Sequence, residues 1–254
     1  MLPRERQFEI VKLVNRNGTV KTSELADRLN CTEETIRRDL DALEKQGKIV
    51  RSHGGAMSMQ DVNEDLQHHK RESREIEEKQ MIASTAASKI REGETIFIDE
   101  SSTSLVMVDY LPADFEFNLV TNSLLLAKRV VSKSNITLHV IGGKYDETSF
   151  SLGGLLAEES IKFMSIDRFF FSCKGFHPEL GATEASEERA RLKKNLLKHS
   201  DWNCVLVDHT KLGIKAKFSF IFSKEVDLLV TDEAASKAVI QTYEKQGIKV
   251  EVTS

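Results

Sequence analysis

CTEETIRRDLDALEKQGKIVRSHGGA, residues 31–56, is the stretch from which the rest of the chain is read. Within it Ile36, Leu40 and Leu43 recur at spacings of four and three, the period of a helix with one apolar face. The other face carries Glu33, Glu34, Arg37, Arg38 and Asp41. Gly47 ends the pattern, and KIVR and AMSM then flank SHGG, two short strands about a tight glycine turn. Alone, the two arginines would be a solvated helix face neutralised by Asp39 and Asp41. A helix followed at once by a basic hairpin is a surface shaped for something anionic.

The preceding residues supply the context. Pro3 suits the first position of a helix, where its missing N–H leaves nothing unpaired, and Phe8, Ile10, Val11, Leu13 and Val14 give that helix an apolar stripe. VKTSELADRLN, residues 20–30, is a short second helix capped by Thr22 or Ser23, with Leu25, Ala26 and Leu29 inward. Cys31 makes a tight connection, and Thr32 caps the third helix, with Glu34 and Thr35 in its first turn. Three helices and a hairpin make a winged helix-turn-helix over 3–58. Its third helix has the dimensions to enter a major groove with its first turns on base edges. The expected DNA-binding residues are Thr22, Ser23, Thr32, Glu34, Thr35, Arg37, Arg38, Arg51, His53 and Gly54. Arg37 and Arg38 reach guanine edges or phosphates, and Arg51 and His53 reach backbone or minor groove.

The 254 residues leave room for a second domain. The formal charge of -4 is uneven: residues 1–60 hold 11 Lys/Arg against 9 Asp/Glu, the remainder 25 against 31. The sign of the first segment suits a polyanionic partner. No apolar run approaches the roughly 18–20 residues that span a bilayer, and MLPRERQFEI lacks the apolar core of a signal peptide. No membrane partner is expected, and the compartment is the cytoplasm. Cys31, Cys173 and Cys204 are odd in number and never form C-x-x-C. They read as small core residues of a reducing compartment, not as disulfides or zinc ligands.

From Arg4 to Ala56 the chain closely resembles the DNA-binding domain of DeoR-type bacterial transcriptional regulators. The family signature has the form S-E-E-T-I-R-R-D-L-x-x-L-E-x-x-G-x-I-x-R-x-H-G-G-A. Here residues 32–56 read TEETIRRDLDALEKQGKIVRSHGGA, with Thr32 in place of the serine. The resemblance implies an operator-binding head, bound to the nucleoid while engaged.

Residues 59–75 read as a linker and the start of a connecting helix, whose apolar positions Ile76, Met81, Ile82, Ala86 and Ile90 gather towards its second half. Over 76–252 seven apolar strands (TIFID, FNLVTNS, ITLHVIGG, RFFFSCKG, NCVLVD, DLLVTD and KVEV) alternate with amphipathic runs. That alternation predicts an α/β domain with a mostly parallel sheet covered on both faces. Ligands in such sheets sit beyond the C-terminal strand ends. The strand ends here carry Ser101, Ser102 and Thr103, then Asn122, Gly142 with Gly143, Lys174, and Asp208 with Lys211. Together they form the expected effector pocket.

The family resemblance extends to this half. DeoR-type regulators carry a sensor domain similar to ribose-5-phosphate isomerase that binds phosphorylated sugars, with the pattern D-S-G-T-T-T, T-N-S, G-G, D-G and D-x-x-K. The chain matches at Asp99, Ser102–Ser104, Thr121–Ser123, Gly142–Gly143, Gly175, Asp208 and Lys211. It departs at Glu100, at Ser101 in place of a glycine, and at Lys174 in place of an aspartate. Lys174 either meets the effector or pairs with Glu100. No carboxylate base takes its place at that strand end, the histidines show no metal spacing, and no nucleophile elbow is present, so neither a catalytic site nor a metal or cofactor is expected. The reading is a DNA-binding regulator, a repressor released by a phosphorylated sugar, acting as a homodimer or higher even oligomer. Its alternatives are an isomerase-like enzyme with a DNA-binding appendage, and an activator with a vestigial pocket.

Overall fold

The apolar period of residues 36–43 becomes helix α3 (Glu33–Lys45) in a computed structural model that describes residues 3–17, 19–52, 54–58 and 75–253. His53, the expected linker and the first turns of the expected connecting helix, 59–74, lie outside the described residues. Compact units form over Met1–Lys70 and Arg71–Ser254.

In the first unit α1 (Pro3–Asn17), β1 (Thr19–Lys21) and α2 (Thr22–Arg28) precede α3, and β2 (Ile49–Ser52) and β3 (Gly55–Ser58) follow it. The hairpin is a three-stranded antiparallel sheet in the order β1-β3-β2, because β1 joins the two expected strands. Ile10, Val14, Val20, Leu25, Ile36, Leu40, Leu43 and Ile49 make the core. Phe8, expected on the α1 stripe, is exposed. A helical advance of about 100° per residue turns it roughly 120–160° away from Val14 and Ile10.

The tight connection between α2 and α3 closes by backbone geometry. Asn30 adopts φ 50°, the left-handed region that Asn tolerates, and Cys31 N–H donates to Ala26 O at 3.0 Å. That pairing satisfies carbonyls the helix end would leave open. At the other end of α2 the expected hydroxyl cap is absent. Lys21 holds the cap position without a side-chain bond, and Thr22, buried, is the first helical residue. The Thr22 N–H instead donates to Gly54 O at 2.8 Å, so the tip of the hairpin caps the helix.

The second unit opens with α4 (Ile76–Ala87) and builds a seven-stranded sheet. Its strands are β4 (Thr95–Ile98), β5 (Phe117–Thr121), β6 (Ile136–Val140), β9 (Ile166–Phe171), β12 (Ser200–Leu206), β14 (Leu228–Asp232) and β15 (Lys249–Thr253). The order is β15-β14-β12-β9-β4-β5-β6 and every pairing is parallel. The chain runs outward from β4 in one direction, then returns to β9 and runs the other way, which puts a topological switch point between β4 and β9.

The period of two along each strand divides the core. Ile96, Ile98 and Phe170 face α4 with Ile82, Ala83 and Ala86. Phe97, Phe169 and Phe171 face the other side with Ala157, Ile161, Ala190 and Leu196. These latter residues come from α7 (Leu155–Ile161) and α8 (Glu187–Leu197). Short helices α5 (Ser102–Val106) and α6 (Leu124–Val130) follow β4 and β5, and α9 (Lys237–Glu244) precedes β15. Two smaller pieces complete the unit. One is the hairpin of β7 (Lys144–Asp146) and β8 (Ser151–Gly153); the other is an antiparallel sheet of β10 (Gly175–His177), β11 (Gly181–Glu184) and β13 (Phe218–Ile221).

One residue of the opening motif is fixed by contact alone. A Cβ on Gly55 would lie 2.1 Å from Val20 O, across the β1–β3 pair. Gly55→Ala should therefore destabilise the first unit by about 1–3 kcal/mol through backbone displacement. Calorimetric unfolding checks this, and an unchanged transition would refute the close approach.

Candidate functional site

On α3, Thr32 caps the helix by accepting from Thr35 N–H at 3.3 Å. Arg37 and Arg38 stand on the wet face with side chains 54% and 78% exposed. Their partners lie on the same helix: Arg37 meets Glu33 at 2.8 Å, and Arg38 meets Glu34 at 3.4 Å. Asp39 does not neutralise them. It is buried and takes Arg6 and Gln7 of α1, a clamp between helices that sequence spacing did not reveal. Asp41 pairs with Arg51 at 3.3 Å, and Arg51 also donates to Gly55 O at 3.2 Å. Arg51 thus staples the hairpin to α3. Ser23, Glu34 and Gly54 are exposed, Thr35 is half-buried, and Thr22 is buried.

Polar groups converge on the C-terminal edge of the sheet, centred on the switch point. Lys193 of α8 is 2% exposed, and its Nζ lies 2.8 Å from Asp99, 2.7 Å from Glu184 and 3.9 Å from Glu100. It also donates to Ser172 O at 2.8 Å. Burial alone would lower the pKa of the ammonium, but Asp99, Glu184 and Glu100 outweigh burial and raise it, so it stays charged. Asp99, just after β4, accepts from Ser101 N–H, Ser104 Oγ, Ser172 N–H and Lys193. Lys211 continues the chain, donating to Ser172 Oγ at 3.0 Å and lying 3.4 Å from Asp208. Burial opposes ionisation of Asp208, yet Lys211 and the Thr210 hydroxyl hold its pKa below the ordinary carboxylate value.

The expected pocket residues fare differently. The Ser101 hydroxyl caps α5 and donates to Ser104 Oγ, so its bonds are used within the loop. Thr103 is buried, and its Oγ1 has no partner. Asn122, after β5, gives its amide nitrogen to Glu100 Oε2 at 3.0 Å and Leu152 O at 3.3 Å. Gly143 adopts φ 147° where a Cβ would meet Gly153 O at 2.2 Å, so this glycine serves the fit of the β7–β8 hairpin; Gly142 is open. Lys174 is exposed and makes no ion pair among the described residues; Glu100 lies 3.9 Å from Lys193 instead. Lys193, Glu184 and Ser172 join this edge without having been expected there from the sequence.

Among the described residues no three His, Cys, Asp or Glu side chains group to hold a metal ion, and no helix is long and apolar enough to cross a membrane.

Two family descriptions match the chain. "DeoR-like helix-turn-helix domain" matches residues 6–62, and "DeoR C terminal sensor domain" matches residues 74–233. The chain is 39% identical over 251 residues to the uncharacterized HTH-type transcriptional regulator YulB of Bacillus subtilis, covering 98% of this chain and 96% of that protein. It is 30% identical over 244 residues to the lactose phosphotransferase system repressor of Staphylococcus epidermidis, covering 94% and 96%. Ribose 5-phosphate isomerase A from Methanocaldococcus jannaschii superposes with a TM-score of 0.39 at 14% identity, over 52% of each chain.

Lys193→Met should destabilise the second unit by about 3–5 kcal/mol, because Asp99 and Glu184 stay buried without their cation. The deficit should shrink in acid, because a carboxyl left buried without a cation favours its neutral form. Glu100 has the same sign in the parent: burial raises its pKa, so its contribution is complete in acid and is lost as pH rises through the folded value. Urea unfolding of parent and variant across pH measures both effects. A deficit that is constant with pH would contradict the charge argument.

Proposed function

The chain belongs to the DeoR family of helix-turn-helix transcriptional regulators, and we propose that it is a repressor of carbohydrate-metabolism genes that a phosphorylated sugar releases from its operator. The observation that carries the DNA half is the state of Arg37 and Arg38: exposed, charged, and held only by glutamates three and four residues back on the same helix. Exposed pairs of that kind are worth about 0.3–0.5 kcal/mol. A bidentate arginine–guanine contact contributes about 1–3 kcal/mol. The exchange favours DNA. Arg51 enters this reading as a residue that sets the hairpin's position on α3, and Thr32 and Thr35 as the cap that sets the helix start.

The sensor half is supported by the cations and unsatisfied polar atoms at one edge of a parallel sheet, and by the lactose phosphotransferase system repressor among the relatives. Release follows from linkage. An effector that binds one state of the protein better, while operator DNA prefers the other, lowers DNA affinity by the same factor that DNA lowers effector affinity. A single winged helix reads few base pairs, so a homodimer or higher even oligomer on repeated half-sites supplies the specificity. Such a regulator works in the cytoplasm, on the nucleoid while bound.

Arg37→Ala and Arg38→Ala should each weaken operator binding about tenfold or more with unfolding unchanged, as read by titration of the protein's own promoter DNA. Unaltered affinity in both variants rules α3 out as the reader. The parent should footprint two half-sites and sediment as a dimer or larger; a monomer on both counts contradicts the oligomer.

In the same promoter assay, phosphorylated sugars should release the DNA where the corresponding free sugars do not. The activator reading is favoured instead if sugar phosphates leave DNA binding untouched while transcription from the promoter rises with protein.

A further inference from the structure

We infer that Arg189 receives the acidic group of the effector, with Asn122 reading an adjacent hydroxyl; this rests on the sensor reading of the second unit. Arg189 stands in the first turn of α8, four residues before Lys193, and residues at that spacing share a helix face. Lys193 faces the sheet edge, and so does that face of the first turn. The Arg189 Nε is buried and has no hydrogen-bond partner. Its charge reaches Glu100 and Asp146. Asp146 is already engaged by the Thr148 N–H and the hydroxyls of Thr148 and Ser149. The residue as a whole is half-buried, but a buried guanidinium N–H with nothing to donate to is expensive to maintain, and a ligand relieves it.

Asn122 supplies the second, independent sign. The residue is 1% exposed. Its amide nitrogen faces two acceptors, Glu100 Oε2 and Leu152 O, which fixes the amide orientation. The carbonyl Oδ1 is therefore turned away from both, buried and without a donor. The two orphan atoms share neighbours. Glu100 bonds to Asn122 and lies in the field of Arg189. The chain just past Leu152 runs against Glu188, beside Arg189, since a Cβ on Gly154 would sit 2.9 Å from Glu188 Oε1.

The other cations of this edge are accounted for. Lys193 and Lys211 are bound to carboxylates and to Ser172, and Lys144 lies 3.8 Å from Glu188. Lys174 is exposed to water. A planar guanidinium suits phosphate or carboxylate, which accept two parallel N–H donors. An acceptor nearby suits a hydroxyl. The class that offers both is a phosphorylated sugar or polyol. Burial raises the pKa of Glu100, so an anion arriving at Arg189 meets a carboxyl that holds its proton more readily than an exposed glutamate.

The test is calorimetry of the full-length parent, Arg189→Gln and Arg189→Lys with ribose 5-phosphate, fructose 6-phosphate, glucose 6-phosphate, inorganic phosphate and the free sugars, alongside unliganded thermal unfolding. Expected for Arg189→Gln is a loss on the order of tenfold or more for the phosphorylated probes, with Arg189→Lys intermediate. Its unliganded Tm should be unchanged or raised, because an orphaned buried donor has been removed. A binding parent whose affinity Arg189→Gln preserves overturns the assignment and leaves the sensor reading standing. A Tm that falls by several degrees makes Arg189 a structural residue and also overturns it. If no phosphorylated probe binds the parent, the assignment and the sensor reading fall together.

Discussion

The ammonium of Lys193 is what lets three parallel strands, β4, β9 and β12, end side by side in polar groups. Asp99 after β4, Glu184 at the end of β11 and the Ser172 carbonyl after β9 all turn towards it. Asp208, after β12, joins through Lys211 and the Ser172 hydroxyl. Removing two carboxylates from water costs several kcal/mol each, and only a cation placed between them offsets that. The cation comes from a helix, so α8 is held over the sheet by charge as well as by Ala190, Leu192 and Leu196 in the core. The edge, the helix and the small sheet that contributes Glu184 are therefore one electrostatic unit.

That arrangement decides where a ligand fits. In doubly wound sheets the crevice at the switch point is ordinarily the ligand seat. Between β4 and β9 this protein fills that crevice with its own lysine, at 2.8 Å from Asp99 and from Ser172 O. Two of the buried polar atoms left without partners, Asn122 Oδ1 and Arg189 Nε, stand to one side, after β5 and in the first turn of α8. The loop after β4 offers less than its sequence implies. Its serines bond to each other and to Asp99, and α5 is only five residues long, too short to bring a strong dipole to bear.

Local pattern explains which parts were legible in the sequence. All seven strands of the main sheet were readable because strands buried on both faces are continuous apolar runs, as in RFFFSC, and the helices between them were readable from their period. The winged head was readable from one motif. The pieces that escaped are three- and four-residue strands (β1, β7, β8, β10, β11 and β13), too short to show a period of two. The pocket's partners escaped for another reason. Lys193 lies in EERARLKKNLLK, where six other charged side chains share the run and nothing local marks the one that turns inward. Lys174 shows the reverse: its place beside a strand end is conspicuous, yet its side chain faces solvent.

The two halves use the same residue types under opposite physical conditions. On α3 the arginines and glutamates are exposed, so water and salt screen them and each pair is worth a few tenths of a kcal/mol. Such pairs exchange partners at little cost, which suits a surface whose second partner is a polyanion. At the sheet edge the pairs are buried, each lost partner leaves a charge without compensation, and the network resists rearrangement. Asp39 stands between these cases. It lies in the same IRRDL run as the reading arginines but is buried against Arg6 and Gln7, fixing α3 to α1. A reading helix needs both: charges free to change partners on the outer face, and one charge that is not, to hold that face in position.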